Sequence, residues 1–273
     1  MASVNPTWTI LVPTLGQRHE LLCQMLDGLL PQVEAHPGVK VLAYWDNGQV
    51  DIATKKQALL DACDTDYLSF VDDDDTVSND YVAAVAEALA GDPDYVGLLL
   101  QVYKDGEPFV LSHHSLWHGG WINEGAPYYR RDITCANPMR TSIARTAKFT
   151  GPPRGHAEDV HWVGQLRGRL HTEVFIDRVL YHYWWVPAHS TWIEPAKQIK
   201  PVDPTGRPWQ PIAIDSPHFA WHPASPLPEG DARGEDAHHR AGSHPDVEHR
   251  APADRVDRDG RVGGCKPTRG RRR

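Results

Sequence analysis

The sequence predicts an α/β fold built on a mostly parallel sheet flanked by helices. Short apolar runs alternate with segments whose apolar residues recur at helical spacing. Three of those runs end in polar punctuation, at Pro13-Thr14, at Asp46-Asn47-Gly48 and at Asp72 to Asp75. In open parallel sheets ligands bind beyond the carboxyl ends of the strands, so three such ends on one edge would make a single site.

The elements follow in order. Thr9 to Val12 reads as a buried strand that stops at Pro13. Leu21, Leu22, Met25, Leu26, Leu29 and Leu30 repeat at helical spacing, with Pro31 closing the helix. Val39 to Trp45 is a second strand, ended by the turn signal Asp46-Asn47-Gly48. Thr54 to Cys63 fits a helix with Ala58, Leu59 and Ala62 inward, Tyr67 to Val71 a third strand, Asp80 to Ala90 an Ala-rich helix, and Tyr95 to Tyr103 a fourth strand. Beyond these, Phe109 to Leu111 reads as a short strand, and Leu116 to Trp121 as a loop with two indoles beside glycines. His156 to Leu170 reads as a helix carrying Val160, Val163, Leu166 and Leu170 on one side, and Val174 to Trp185 as an aromatic strand. His113 and His114 fall in an expected loop.

The chain has 273 residues, 40% of them hydrophobic, with ten tryptophans, enough for a sizeable core. A net charge of -8 argues against nonspecific nucleic-acid binding. The four cysteines, Cys23, Cys63, Cys135 and Cys265, have no metal-ligand spacing and read as reduced thiols of a cytoplasmic protein. Met1 to Trp8 lacks the pattern of a signal peptide, and no run is long enough to span a bilayer. Composition divides the chain at Pro226. Residues 1–225 read as the folded domain, and 226–273, poor in large apolar residues and ending Arg-Gly-Arg-Arg-Arg, as a disordered tail. The tail is richer in basic than acidic residues, so the folded part is more acidic than the whole.

The four consecutive aspartates, Asp72 to Asp75, are the chemical focus. Like charges so close raise each other's pKa unless a cation neutralises them. An all-oxygen cluster suits Mg²⁺ or Mn²⁺, which commonly share their shell with substrate phosphates. An acidic loop or helix start is the alternative reading. The sequence contains neither GxGxxG nor GxxxxGK[ST], so phosphates have no glycine cradle.

From residue 8 to about 192 the sequence resembles the GT-A glycosyltransferases, particularly the large inverting family 2. Thr9 to Arg18 resembles that family's opening strand and loop. Tyr44 to Gln49 is similar to its Val-Asp-Asp-Gly-Ser segment, and Lys55 to Ala62 to its Lys-Arg-Asn helix. Asp66 to Asp75 resembles the strand entering the DxD motif. Glu158-Asp159, before a helix with Arg167, resembles the Glu-Asp pair at the acceptor side, and Tyr181-His182-Tyr183 a late Tyr-His-Tyr segment. In style the chain is similar to small glycosyltransferases of bacteria and their phages.

The resemblance implies a GT-A (Rossmann-like) fold, with a nucleotide-sugar half near 8–105 and an acceptor half near 106–200. It implies an inverting, metal-dependent transfer from a nucleotide sugar, UDP-linked by analogy, to a hydroxyl of a glycan, protein, lipid or modified DNA. Pro13 and Thr14 match the nucleotide pocket. Asp46 and Asn47 match paired aspartates, one of which contacts uracil, with Asn47 a departure. Lys56 matches a basic position near the donor, and Gln57 replaces an Asn. Asp72 and Asp74 are the outer members of the DxD, with Asp73 between. Asp74 is the preferred ligand of Mn²⁺ or Mg²⁺, and Asp72 a ribose or water-mediated contact or a second ligand. Asp73 and Asp75 are the substitutes in this ambiguous register. His182 is a candidate third ligand, with His189 its rival. Asp159 matches the general base, which an inverting transfer needs within reach of the attacking hydroxyl; Glu158 orients the acceptor or nearby backbone. The loop from Ser112 to Arg131 is expected to set acceptor choice, Trp117 and Trp121 offering flat faces for a sugar. A sugar nucleotidyltransferase and a non-catalytic carbohydrate- or nucleotide-binding protein on the same scaffold are the competing readings.

Overall fold

The computed structural model describes residues 6–122, 128–150, 158–185 and 214–225. His189 and the segment 226–273 lie outside the described residues. The first strands are β1 (Trp8–Leu15), β2 (Val39–Asp46), β3 (Tyr67–Phe70), β4 (Thr76–Val77) and β5 (Tyr95–Lys104). They are followed by β6 (Glu107–His114), β7 (Tyr128–Arg131), β8 (Met139–Arg140), β9 (Glu173–Trp185) and β10 (Phe219–Trp221). The helices are α1 (His19–Glu34), α2 (Ile52–Ala62), α3 (Tyr81–Leu89), α4 (Thr141–Ala144) and α5 (Glu158–Leu166).

One mixed sheet runs β10-β2-β1-β3-β8-β5-β6-β7, with β9 pairing both β5 and β4. It is parallel from β10 through β3, while β8 inserts antiparallel between β3 and β5. The expected α/β architecture is therefore present. Side-chain alternation explains the continuous apolar runs. On β1, Trp8, Ile10 and Val12 join the core under α1 and α3, while Leu11 joins the core under α2 and α5. On β3, Tyr67 and Val71 flank the first core, Leu68 and Phe70 the second. Strands covered on both faces have no solvent side to make polar.

Both expected proline stops are overridden. β1 continues through Pro13 to Leu15, paired with β2. Val71 N–H donates to the Leu11 carbonyl, so the β3 side of β1 is also the side that Pro13, two residues on, faces. β3 has ended by then, and the missing N–H of Pro13 breaks no ladder bond. α1 continues through Pro31 to Glu34. The carbonyl left free by Pro31 is that of exposed Asp27, and the Gln32 side chain caps the next one, Gly28, at 2.9 Å.

Other boundaries shift as well. Val160, expected inward, is 41% exposed, and Trp162 takes its place in the core. His113 and His114 lie in β6 rather than a loop. His114 is buried on Ser112, Thr134 and Asn137, and burial pushes its pKa down to about 3. Cys63 and Cys135 are free and buried, whereas Cys23 is disulfide-bonded, against the expectation of reduced thiols, with its partner outside the described residues. Among the described residues no helix is long and apolar enough to cross a membrane.

Gly97 marks the tightest point, where β5 lies between β6 and β9. A Cβ there would meet Glu173 Oε1 at 2.1 Å, Phe175 Cδ2 at 2.6 Å and the His114 carbonyl at 2.7 Å. Two of the three obstacles are a ring and a backbone oxygen, which do not swing aside. Gly97→Ala should therefore lower the unfolding free energy by about 1–3 kcal/mol, the usual cost of overpacking, measured by urea denaturation. An unchanged midpoint would show that β9 yields freely.

Candidate active site

Thr14, Asp46 and the quartet Asp72–Asp75 all lie at the carboxyl ends of the neighbouring parallel strands β2, β1 and β3. The quartet is stitched to its surroundings by an arginine that the sequence reading passed over. Arg18 closes the tight turn Gly16–Arg18 after β1. Its Nη1 lies 2.6 Å from Asp73 Oδ1 and its Nη2 2.7 Å from Asp74 Oδ2. Thr14 Oγ1 donates to the other Asp73 oxygen at 2.7 Å. Asp75 is turned inward, accepting from Tyr181 Oη at 2.7 Å and Trp184 N at 2.9 Å. Tyr181 Oη also accepts from the Asp72 backbone N–H at 3.2 Å. Among the described residues, no side chain hydrogen-bonds the Asp72 carboxylate.

The electrostatics follow from burial of like charges. Burial raises the Asp73 carboxyl against the pull of Arg18. Burial raises Asp74 to about 7, with Arg18 opposing and the charges of Asp73 and Asp72 adding. Asp75 is raised well above the carboxylate range, by burial and then by Asp74 and Asp72. One guanidinium therefore does not offset the quartet.

α2 contributes two further buried cations. Lys55 pairs with Asp46 and donates to the Thr14 carbonyl at 2.6 Å. The other Asp46 oxygen accepts from Val50 N at 2.7 Å. Asp46 thus shapes the turn after β2 with both oxygens, and partly exposed Asn47 follows it at the surface. Lys56 lies 2.9 Å from Glu158 Oε1, with its ammonium 5.9 Å from the Phe70 ring centre. Burial works against the charge on Lys56, yet Cys135, Asp72, Glu158 and Asp159 hold it well above its usual range. Sequence reasoning set Lys56 at the donor and Glu158 at the acceptor; in the structure they are each other's partner.

Asp159, at the first turn of α5, has its carboxyl raised by burial, lowered by Lys56 and raised again by Glu158 and Asp72. Asp159 and Asp72 are thus within range of each other's charge. His182 is elsewhere in its contacts. It sits on β9 opposite Thr76, its ring 5.8 Å from that of Tyr103, and burial lowers its pKa. Among the described residues, no three His, Cys, Asp or Glu side chains converge to hold a metal ion, so the set Asp72, Asp74 and His182 is not assembled as a protein-only centre. Asp72 and Asp74 do offer two hard oxygen donors in an under-neutralised cluster. That is the donor set on which Mg²⁺ or Mn²⁺ is held when substrate phosphates complete the shell.

In the predicted acceptor loop, Trp117 is 87% exposed, while Trp121 donates its indole N–H to the Ile133 carbonyl at 3.3 Å and carries Arg131 over its ring. Residues 123–127 of that loop lie outside the described residues.

No family model and no curated protein matches the chain. Solved structures similar to it include that of S. aureus TarS, at 14% identity and a TM-score of 0.48, covering 67% of this chain and 37% of that one. The structure of TarS 1–349 in complex with UDP-GlcNAc is similar at 14% identity and a TM-score of 0.49, covering 70% of this chain and 63% of the other. The complex of the same fragment with UDP gives 14%, 0.49, 67% and 61%. The chain spans less than two thirds of each of these structures.

Two expectations test the charge arrangement. Lys56→Met should cost about 3–5 kcal/mol in urea denaturation, because it removes one member of a buried ion pair. Replacing both residues, with Glu158→Leu, should recover most of that loss. The folded chain holds a proton on Asp74 up to about pH 7, which the unfolded chain releases in the ordinary carboxylate range. Stability should accordingly fall as pH rises from about 4 through about 7. Asp74→Asn should flatten that fall, read as the difference in urea midpoint between the two ends of this range.

Proposed function

We propose that this chain is a GT-A glycosyltransferase that moves a sugar, with inversion, from a UDP-sugar to a hydroxyl acceptor. The observation that supports the reading is proximity: Asp159 and Asp72 lie within each other's field, and both act on buried Lys56. The family resemblance gives the two stations their roles. Asp159 takes the proton of the acceptor hydroxyl. The acceptor oxygen bonds to the anomeric carbon as the bond from that carbon to the diphosphate oxygen breaks on the opposite face. The raised affinity of Asp159 for a proton, caused by burial, makes it a better base than a solvated carboxylate. Lys56 opposes that rise.

On the donor side, the turn built by Asp46 presents Asn47 to the nucleotide, and Thr14 and Arg18 hold the quartet in place. A divalent cation on Asp72 and Asp74 would offset the charge that develops on the leaving diphosphate. Glu158 is a structural partner of Lys56 in this reading.

The test is a screen of nucleotide sugars, with Mn²⁺ or Mg²⁺ present, for release of free UDP and for transfer to added acceptors. Asp159→Asn should leave UDP affinity unchanged and reduce transfer by about 10²–10⁴-fold, the range for loss of a general base. Transfer at near wild-type rate in that variant would remove Asp159 from the role, and release of pyrophosphate from a nucleoside triphosphate would favour a nucleotidyltransferase.

A further inference from the structure

The final turns of β9 are fastened to the quartet on both sides of one residue. Tyr181 Oη binds Asp75 at 2.7 Å, Trp184 N binds the same carboxyl at 2.9 Å, and Trp184 Nε1 donates to Thr76 Oγ1 at 2.9 Å. Tyr183 lies between these anchors. From Leu100 to Lys104, β5 pairs with Tyr181 to Trp185 in unbroken register, so strand alternation applies. His182 and Trp184 share one face, where the Trp184 ring stacks on Tyr103 at 4.0 Å. Tyr181 and Tyr183 share the other, the face turned to the quartet. The Tyr181 ring is buried; the Tyr183 ring, about 7 Å further along the strand, is 39% exposed.

The neighbours of the two phenols fix where the second one lies. The Tyr181 hydroxyl feels Asp75 and Asp72. The Tyr183 hydroxyl is within electrostatic reach of Asp75, Asp72 and Asp74 and also of Asp159. On this strand face it is therefore near both the donor-side carboxylates and the base. In the transfer proposed above, the group bound near both is the sugar in flight. A half-open aromatic face packs against the C–H face of a sugar ring, and a neutral phenol donates to its hydroxyls where the surrounding carboxylates can only accept.

We propose that Tyr183 contacts the sugar ring of the donor and sets affinity for the sugar rather than for the nucleotide. The proposal rests on the glycosyltransferase reading and names a residue of its sugar subsite. Substitution at this position is tolerable because the ring is partly exposed and the backbone on either side is anchored independently.

The experiment compares binding of UDP, UDP-glucose and UDP-N-acetylglucosamine by calorimetry to the wild type, Tyr183→Phe and Tyr183→Ala, with a thermal melt confirming that each is folded. UDP affinity should be the same in all three. Affinity for the UDP-sugar that the wild type prefers should fall roughly tenfold in Tyr183→Ala, the order expected of one aromatic contact. The loss in Tyr183→Phe should be smaller, since the ring is kept. Equal weakening of UDP and UDP-sugar would place Tyr183 on the nucleotide, and unchanged UDP-sugar affinity would take it out of the subsite; either overturns the proposal. If the wild type binds neither UDP nor a UDP-sugar, the glycosyltransferase reading itself falls and the subsite with it. Tyr183→Phe retains the packing of the ring, so a folded variant stands behind the comparison even if the alanine protein fails.

Discussion

A buried charge needs a partner, and this requirement organises the carboxyl edge of the sheet. Arg18, Lys55 and Lys56 all lie largely out of solvent, each against carboxylates from a different element. Arg18 ties the turn after β1 to the quartet, Lys55 ties α2 to the end of β2, and Lys56 ties α2 to α5. Such pairs are poor sources of net stability, because desolvation consumes most of the attraction. Their effect is on position: breaking any one leaves a charge stranded, so the elements have little freedom to slide. The adjacent lysines differ instructively. Burial lowers the Lys55 pKa, with nearby Arg18 adding to the fall against Asp46 and Asp73. Lys56 is held high by the acidic groups around it, Asp72, Glu158 and Asp159 among them.

The strand-and-helix order was readable because it depends on local periodicity and on covering both faces of the first strands. The three polar strand ends were readable for a similar reason: residues such as Asp46 and Asp72 interrupt an otherwise apolar run. Which partners these residues take was not readable. Arg18 stands in the very segment that carried the family resemblance, but nothing in its local context distinguishes a quartet clamp from a surface arginine. A basic residue just past a strand end, with an acidic run at a neighbouring strand end, is the one signal that could have found it. Lysine is seldom buried without a carboxylate partner, and the partners of Lys55 and Lys56 come from 9 and 102 residues away, beyond any local pattern. The prolines misled in the opposite sense: at Pro13 the missing N–H had no strand partner to lose, and at Pro31 the one carbonyl left free is on exposed Asp27.

Contacts from α5 and β9 complete this arrangement. α5 presents Asp159 through the Lys56–Glu158 pair, and the β9 strand presents Tyr183 through Asp75. The quartet thus serves two ends at once. Asp73 and Asp74 are held by Arg18 from the turn after β1, and Asp75 is spent inside, on β9. A run of four aspartates looked like an abundance of ligands; much of it is framework.

The edge strand β10 has a consequence for the order of events as the chain is made. It runs beside β2, with Val41 N–H reaching the His218 carbonyl and His222 N–H the Ala43 carbonyl, both at 2.7 Å, and Trp45 N–H reaching Ser225 Oγ at 3.1 Å. These contacts join residues some 180 positions apart in the chain. During synthesis, β1, β2 and β3 emerge long before their outermost neighbour exists, and the open side of β2 must wait with unpaired backbone groups beside Tyr44 and Trp45. An exposed edge of that kind is a template for pairing with other nascent chains. Completion of this side of the sheet is therefore a late step, and the yield of folded protein should depend on how quickly β10 arrives.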